Sequence, residues 1–322
     1  MRVVLIGRLL IGVLALRELL AQGEDVVGVV VSSLDPYPGL PSEESVRKLA
    51  NRERLPVLQI PLNKVNEPDV LQAIRKLKPD LIMSAFPSVP FCQELLRIPS
   101  IGCINFHPSK LPEAKGFTTS LYHMYRGDDQ NWITLHWLDE GVDTGPILSQ
   151  GAAGIDREDT GFTIRRKTFE VARGLLRDAL PLLRQGKAPR IEQLPVPEGR
   201  PYSFNWQPSF AEIDWTASSQ QVVRRVRTLS HPKDFAFETS AAYTTFLSRR
   251  LFVWDAREDD RDARMIAGCE PGQVLAATGD GIGIRTGDGS IVATDITLDE
   301  DQDGDSLGAL DLLGMRVPTV LG

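Results

Sequence analysis

Cysteine and histidine are both scarce in this chain, and their scarcity removes whole classes of function. Its 322 residues hold three cysteines, Cys92, Cys103 and Cys269, and four histidines, His107, His123, His136 and His231. The cysteines are odd in number and lack metal-ligand spacing, so free thiols in a reducing compartment fit better than a disulfide framework. With so few histidines, no metal site is expected. Long apolar runs are missing too: none reaches the ~20 residues that a membrane span requires. Arg2 and the run Val3-Val4-Leu5-Ile6 begin like a signal peptide. However, Arg8, Arg17 and Glu18 interrupt the apolar stretch beyond, and no small-residue cleavage site ends it. The expected location is therefore cytoplasmic, with no membrane partner.

Positive charge is also in deficit. The net charge is −7, which disfavours nucleic acid or an anionic membrane as the default partner. A Gly-x-Gly-x-x-Gly fingerprint is absent: Gly7 and Gly12 flank Arg-Leu-Leu-Ile, a spacing suited to a tight strand-to-helix turn and not to a dinucleotide site. Asp299-x-Asp301-x-Asp303-Gly304 opens like a calcium loop, but Leu310 stands where the closing glutamate belongs. An exposed acidic loop is expected there.

What remains is a globular composition, 42% hydrophobic and 25% charged, in a chain long enough for two cored domains. Residues 2–6 and Val26 to Val31 read as buried strands around a helix from Leu9 to Leu20. Continuous Val/Ile/Leu runs alternating with helical patterns predict a mostly parallel sheet covered on both faces, an α/β Rossmann-like unit. The pattern continues with a helix from about Ser42, a strand Val57 to Ile60, a helix Asp69 to Leu77, and strands Leu81 to Ala85 and Cys103 to Phe106. Ile133 to Trp137 and Ile147 to Ser149 read as two further strands. Next comes a helix from about Thr160 to Arg184, in which Pro181 predicts a kink or an early end. Gly186 to Gly199, rich in Pro and Gly, reads as linker. Beyond it, short strands (Leu251–Trp254, Gln273–Ala276, Ile282–Arg285, Ile291–Ile296) and one helix, Gln220 to Leu229, predict a small β-barrel-like, OB-like domain. The expected division is 1–190 catalytic, 191–205 linker and 206–322 C-terminal.

One constellation stands out. Asn105-Phe106-His107-Pro108-Ser109 leaves the end of a buried strand, and Asp143 follows Asn105 by 38 positions in Asp139-Glu140-Gly141-Val142-Asp143-Thr144-Gly145. In an open parallel sheet, ligands bind outside the carboxyl ends of the strands. An amide, an imidazole and a carboxylate are the groups needed to hold, polarise and deprotonate around a carbonyl. Pro108 fixes the exit direction, and the stiff loop from Ser109 to Gly116 can lie against a flat ligand.

The pattern Asn-x-His-Pro-Ser-x-Leu-Pro-x-x-x-Gly, with Asp-Glu-Gly-x-Asp-Thr-Gly-Pro-Ile after it, resembles the formyltransferase family that uses 10-formyl-tetrahydrofolate. Family members formylate glycinamide ribonucleotide, initiator methionyl-tRNA, amino sugars and certain amino-acid or siderophore amines. The resemblance runs from residue 1 to about 185. Pro208 to Trp215, Arg249 to Trp254 and Pro271 to Leu275 are similar to the C-terminal barrel of the members that act on methionyl-tRNA. The resemblance implies that Asn105 orients the formyl oxygen, that His107 polarises it, and that Asp143 tunes His107 and takes up the amine's proton. It implies a folate pocket at Phe86, Pro87, Ser88 and Val89, at Leu111, Pro112 and Gly116, and at Asp139, Glu140, Gly141 and Val142. Ser109, Lys110, Phe117 and Thr118 would face the acceptor.

Two departures bear on the acceptor. Lys110 stands where the family has leucine, and Glu113-Ala114-Lys115 replaces a basic and aromatic pair before Gly116. Residues 191–322 carry 12 basic and 21 acidic side chains, and Ser33 to Pro41 has no Lys or Arg. A grip on tRNA needs phosphate contacts, so a small-molecule amine is expected: an amino-sugar nucleotide or a hydroxyornithine-type precursor. The cluster Arg224, Arg225 and Arg227 with Arg249 and Arg250 is the place where basic charge survives. Phe117, Tyr122, Tyr125 and Arg126 read either as a nucleotide clamp or as a helix packing face. A formate-releasing hydrolase and a non-catalytic folate-binding module are the competing readings. A homodimer is left open.

Overall fold

Val3-Val4-Leu5-Ile6 is apolar on both faces of an extended chain, so it is stable only where both faces are covered. In the computed structural model it forms the centre of β1 (Arg2–Gly7), buried from Val3 to Gly7. The structure describes residues 1–35, 45–116, 119–195, 208–231, 241–246, 249–260 and 266–298. They divide into two compact units. The first comprises Met1–His123, Asp128–Ile155 and Ile164–Asn205, and the second Met124–Gly127, Asp156–Thr163 and Trp206–Gly322.

The first unit alternates strand and helix: α1 (Leu9–Ala21), β2 (Asp25–Ser32), α2 (Val46–Arg52), β3 (Val57–Ile60), α3 (Pro68–Lys76), β4 (Leu81–Ala85), α4 (Gln93–Leu96) and β5 (Gly102–His107). Next along the chain come α5 (Tyr122–Arg126), which belongs to the second unit from Met124 on, then β6 (Gln130–Trp137), β7 (Ile147–Gly154) and α6 (Gly161–Arg184), which belongs to the first unit from Ile164 on. The seven-stranded sheet has the order β3-β2-β1-β4-β5-β6-β7. Strands β1 to β5 are parallel, and β6 and β7 run antiparallel to their neighbours. The order reverses at β1/β4, the switch point where α/β sheets leave a crevice.

Two apolar layers sandwich the sheet. Residues of α1, α2 and α6, among them Ile11, Val46, Phe169 and Leu176, join Leu5, Met83, Ile104 and Phe106 in one. The other gathers Val70, Leu71, Ile74 and Leu95 on Ile6, Ile82 and Cys103. Burying one such large side chain contributes ~1.5–3 kcal/mol. Burial also pushes the Cys103 thiol up to about 12, so it stays protonated and unreactive.

Gly7 and Gly12 serve the strand-to-helix turn. A Cβ on Gly12 would stand 2.8 Å from Val46 Cγ2 and 3.2 Å from Gly7 C, so helix and strand pack closer than a side chain allows. α2 is capped by Ser45, whose Oγ accepts from Lys48 N at 3.1 Å and donates to Asp35 Oδ1 at 2.6 Å. Ser42, where the sequence places the start of this helix, lies outside the described residues, as do Asp299 to Gly304. α6 does not stop at Pro181 but runs on to Arg184. The ring removes one donor near the end of the helix, and burial of Leu180 and Leu183 holds the last turn. The backbone resumes with Gln185 N donating to Pro181 O. The Gly186–Gly199 stretch is in part bonded to this unit: Ile191 pairs with Ile147, and Trp137 Nε1 donates to Pro189 O.

The second unit holds α7 (Pro208–Ala211), α8 (Ser219–Leu229), β8 (Ala242–Phe246), β9 (Arg249–Glu258), β10 (Val274–Thr278), β11 (Gly281–Arg285) and β12 (Ser290–Leu298). The strands form one antiparallel sheet in the order β10-β11-β12-β9-β8. Ser218 and Gln221 close a capping box at the start of α8, and Val222, Val223, Val226 and Leu229 form its buried face. Strand β8 escapes the sequence reading because Ala-Tyr-Thr-Thr-Phe shows no apolar alternation. The fold class is α/β, a Rossmann-like mostly parallel sheet followed by a small antiparallel β-unit.

Candidate active site

Asn105 and His107 alternate with Ile104 and Phe106 along β5, so they point to the opposite face from the large core. Cys103, on that same face, is packed in apolar surroundings. Two residues further on, at the carboxyl end, the face turns polar. Register extends this polarity across the sheet: Ser84 lies opposite Asn105 on β4, His136 opposite Asn105 on β6, and Thr134 opposite His107.

His136, fully buried, is the residue that sequence reasoning missed. Its Nδ1 is 2.8 Å from the Trp137 carbonyl, which can only accept, so Nδ1 carries a proton, and in the neutral tautomer Nε2 is left as an acceptor. Asn105 Nδ2 donates to that Nε2 at 3.2 Å. Asn105 Oδ1 and Ser84 Oγ are buried with no hydrogen-bond partner among the described residues. Buried polar atoms are rarely left so, and these two face the end of the sheet where a ligand belongs.

His107 is only 3% exposed. Its Nε2 is 2.7 Å from the Ala114 carbonyl and 2.7 Å from Ser109 Oγ, with Thr119 Oγ1 at 3.3 Å. Ser109 Oγ in turn donates to Ala114 O at 2.5 Å. On the other edge Nδ1 is 3.3 Å from Asp143 Oδ2. Each ring nitrogen thus faces an acceptor, and the imidazolium gains both bonds. Burial works the other way and, with the nearby His136, holds His107 below its ordinary value despite the pull of Asp143 and Ala114 O.

Asp143 stands in the left-handed region, φ 53°, a conformation that Asp tolerates better than most residues. Burial would raise its pKa, but His107, His136 and the Gly116 amide outweigh it, and the carboxyl lies below its ordinary range. Gly116 N donates to Oδ2 at 3.0 Å, and Oδ1 is 3.5 Å from His136 Nε2. The loop backbone is clamped from an unexpected quarter: Gln193 Nε2, in the stretch read as linker, donates to Asp143 O at 2.9 Å and Gly145 O at 2.7 Å. Gly145 has no room for a side chain, since a Cβ would collide with Trp137 O.

The Ser109–Gly116 loop is fastened to β6 and β7. Thr134 Oγ1 donates to Ser109 O at 2.7 Å, Leu111 N donates to Thr134 Oγ1 at 3.2 Å, and Gln150 Nε2 donates to Leu111 O at 2.8 Å. Leu111 is buried, while Pro112 and Gly116 are half-buried. Lys110 is engaged within its own neighbourhood: Nζ is 3.2 Å from Glu113 Oε1 and lies over the Trp132 ring at 4.9 Å. Phe117 and Thr118 lie outside the described residues.

Among the residues expected to hold folate, Phe86 to Val89 leave β4 half-buried beside the switch point. Phe86 has φ 65°, its carbonyl accepts from Arg8 Nε at 3.2 Å, and its ring meets Phe169 edge-on. The Asp139 carboxylate is spent on its own loop, accepting from Gly141 N and Thr144 Oγ1. Glu140 accepts from Gln93 Nε2 at 2.5 Å, and Val142 is 42% exposed. Amide, imidazole and carboxylate therefore converge as the spacing suggested, joined by a second imidazole and two clamps.

Comparison with known proteins agrees along the chain. The family described as Formyl transferase matches residues 1–180, and Formyl transferase, C-terminal domain, matches residues 205–306. Methionyl-tRNA formyltransferase of Bacillus mycoides (strain KBAB4) is 32% identical over 289 residues, 89% of this chain and 87% of that protein. That of Pelotomaculum thermopropionicum is 31% identical over 301 residues, 92% of this chain and 91% of that protein. Among solved structures, an N-formyltransferase from Helicobacter canadensis in complex with folinic acid and dTDP-3-aminofucose superposes with TM-score 0.65 at 17% identity, covering 91% of this chain and 99% of that chain. A sugar 3N-formyl transferase solved with dTDP and 5-N-formyl-THF gives TM-score 0.64 at 14% identity, covering 94% of this chain and 98% of that chain. At such identities the structural likeness speaks for the fold.

Proposed function

This chain belongs to the formyl transferase family, and on that premise we propose that it carries the formyl group of 10-formyl-tetrahydrofolate to the amine of a small molecule. The observation that carries the reading is the convergence of Asn105, His107 and Asp143, with Asp143 Oδ2 3.3 Å from His107 Nδ1 and Asn105 Oδ1 buried and without a hydrogen-bond partner among the described residues. An orphaned acceptor beside a donor amide suits a ligand that brings both a carbonyl oxygen and N–H groups. The folate donor, when bound, supplies an activated formyl carbon. Asn105 keeps its second Nδ2 hydrogen for the oxygen on which negative charge grows, a donor of a kind typically worth ~3 kcal/mol. His107 adds positive charge to the same side when protonated. Asp143 takes the proton that the amine must lose, general-base help of about 10²–10⁴-fold.

The acceptor reading rests on charge. Residues 191–322 hold 21 acidic against 12 basic side chains, and Ser33 to Pro41 has no Lys or Arg, a poor balance for gripping tRNA phosphates. An amino-sugar nucleotide or a hydroxyornithine-type amine fits better. A second reading, methionyl-tRNA as acceptor, is favoured by the 32% identity to methionyl-tRNA formyltransferase over 289 residues. The deciding experiment incubates the protein with 10-formyl-tetrahydrofolate and amino-sugar nucleotides, hydroxyornithine or methionyl-tRNA, with products followed by mass. A formylated small amine is expected. Formyl-methionyl-tRNA alone, at a rate falling steeply with salt, replaces this reading with the second. Formate released without any acceptor makes the protein a hydrolase.

A further inference from the structure

The arginines of α8 meet two different fates. Arg227 donates through Nε and Nη2 to the carbonyls of Asp156 and Asp159, at 2.8 to 3.0 Å, and is built into the wall of the second unit. Arg224 and Arg225 instead line a cavity of about 510 Å³ together with Arg126, Tyr125, Asp214 and Gln221. That volume falls within the range of small-molecule sites, about 300–1,000 Å³.

Arg224 and Arg225 are each held in place by a backbone carbonyl. Arg224 Nη1 donates to Arg126 O at 3.3 Å, and its guanidinium occupies the space that a Cβ on Gly127 would fill. Gly127 has φ 84°, so glycine serves there twice, for its backbone and for the room it leaves. Arg225 Nη1 donates to Glu212 O. Neither forms an ion pair with a carboxylate among the described residues. Asp214, the one acidic side chain lining the cavity among the described residues, accepts at Oδ1 from Thr216 N and Oγ1 at 2.9 and 2.6 Å. These bonds first, and Arg225 to a lesser extent, keep its carboxyl below the ordinary range, so it stays charged.

Arg224 and Arg225 against one carboxylate leave this wall cationic, in a stretch of chain that is otherwise strongly acidic. A guanidinium serving only solubility is not pinned. One fixed by a carbonyl while its charge stays unpaired has already lost the freedom that anion binding would cost. Its planar N–H fork matches phosphate oxygens. Two such groups at successive positions of α8 suit two linked phosphates, with the Tyr125 ring and Gln221 beside them for the rest of the molecule. We infer that this cavity is an accessory site for a small diphosphate-bearing ligand. It is formed wholly by the second unit and stands apart from the Asn105–His107–Asp143 centre in both residues and chemistry.

The test is calorimetric titration of the full chain with pyrophosphate and, separately, with a nucleoside diphosphate, each at low ionic strength. Saturable one-site binding is expected, weakened at least tenfold in Arg224→Gln/Arg225→Gln and tightened several-fold in Asp214→Asn, which removes the opposing charge. Tighter binding of the nucleotide than of pyrophosphate assigns the Tyr125 side to a base; equal affinity assigns the site to the diphosphate alone, and either result upholds it. No saturable binding of either probe overturns the proposal, as does equal affinity in the double-arginine variant. Should that variant fail to fold, Asp214→Asn decides alone, and unchanged or weaker binding there overturns the proposal.

Discussion

His136 Nε2 stands 3.2 Å from Asn105 Nδ2 and 3.5 Å from Asp143 Oδ1, so one buried imidazole touches both the amide and the carboxylate of the proposed centre. The Trp137 carbonyl fixes a proton on Nδ1, so Nε2 of the neutral ring accepts, and the Asn105 amide is turned with nitrogen toward it. His136→Leu frees the amide to flip, and displacement of a reacting group by about 1 Å is able to cost roughly 10²-fold. The expected result is a kcat loss of up to that size with little change in KM for the donor. His136→Gln, whose side-chain oxygen also accepts, should recover part of it. Steady-state kinetics decides, and wild-type kcat in the leucine variant refutes the role.

Asn105→Ala and Asp143→Asn separate the two halves of the chemistry. Removing the donor is expected to lower kcat by about 10²–10³-fold, and removing the base by about 10²–10⁴-fold. A more nucleophilic, already neutral amine should rescue Asp143→Asn more than Asn105→Ala, because only the former lacks a proton acceptor. Equal rescue in both variants counts against the assignment.

Gln193 makes two hydrogen bonds to the backbone that carries Asp143. Each contributes ~0.5–1.5 kcal/mol, so Gln193→Ala should lose about 1–3 kcal/mol in urea denaturation. Activity should fall further than stability suggests, since Asp143 is held at φ 53° by its surroundings. A variant that is less stable yet fully active would make Gln193 a tether without a positioning role.

The pH dependence of stability has a definite sign. His107 lies below its ordinary 6.5 when folded, so the unfolded chain takes up the proton first. Its contribution is present above about pH 6.5 and is lost as pH falls toward the folded value. Asp143 lies below its ordinary 3.8 when folded, so its contribution is present above that value and is lost as pH falls through the folded one. Both make stability rise with pH. His107→Gln should flatten the upper part of the urea-midpoint curve and Asp143→Asn the lower part. The latter also deprives His107 of its attraction, so its step should extend to lower pH.

Much of the fold was legible because its cues are local. Residues 57–60 and 81–85 are bounded by turn residues around apolar runs, and β3 and β4 have those bounds. The longer helices of the first unit announced themselves by period, and Pro181 misled: a proline in the last turn costs one bond, and the buried leucines beside it outweigh the loss. Strand β8 and the four-residue helices α4 and α7 were not legible, because so short a stretch without an apolar run shows no usable period.

The site divides along the same line. Asn105 and His107, two apart on one strand, and Asp143 in a glycine-flanked loop are residues whose chemistry and spacing the sequence determined by itself. His136 and Gln193 gave no such signal, one reading as strand filler and the other as linker. Their roles come from strand register, which sets His136 opposite Asn105 across 31 residues, and from the Ile191–Ile147 pairing that brings Gln193 to the Asp143 loop. Register and long-range pairing are decided by the packing of the whole sheet, where a shift of one residue would turn each side chain to the other face. The local sequence therefore names the candidate groups, and only the tertiary structure selects what holds them in place.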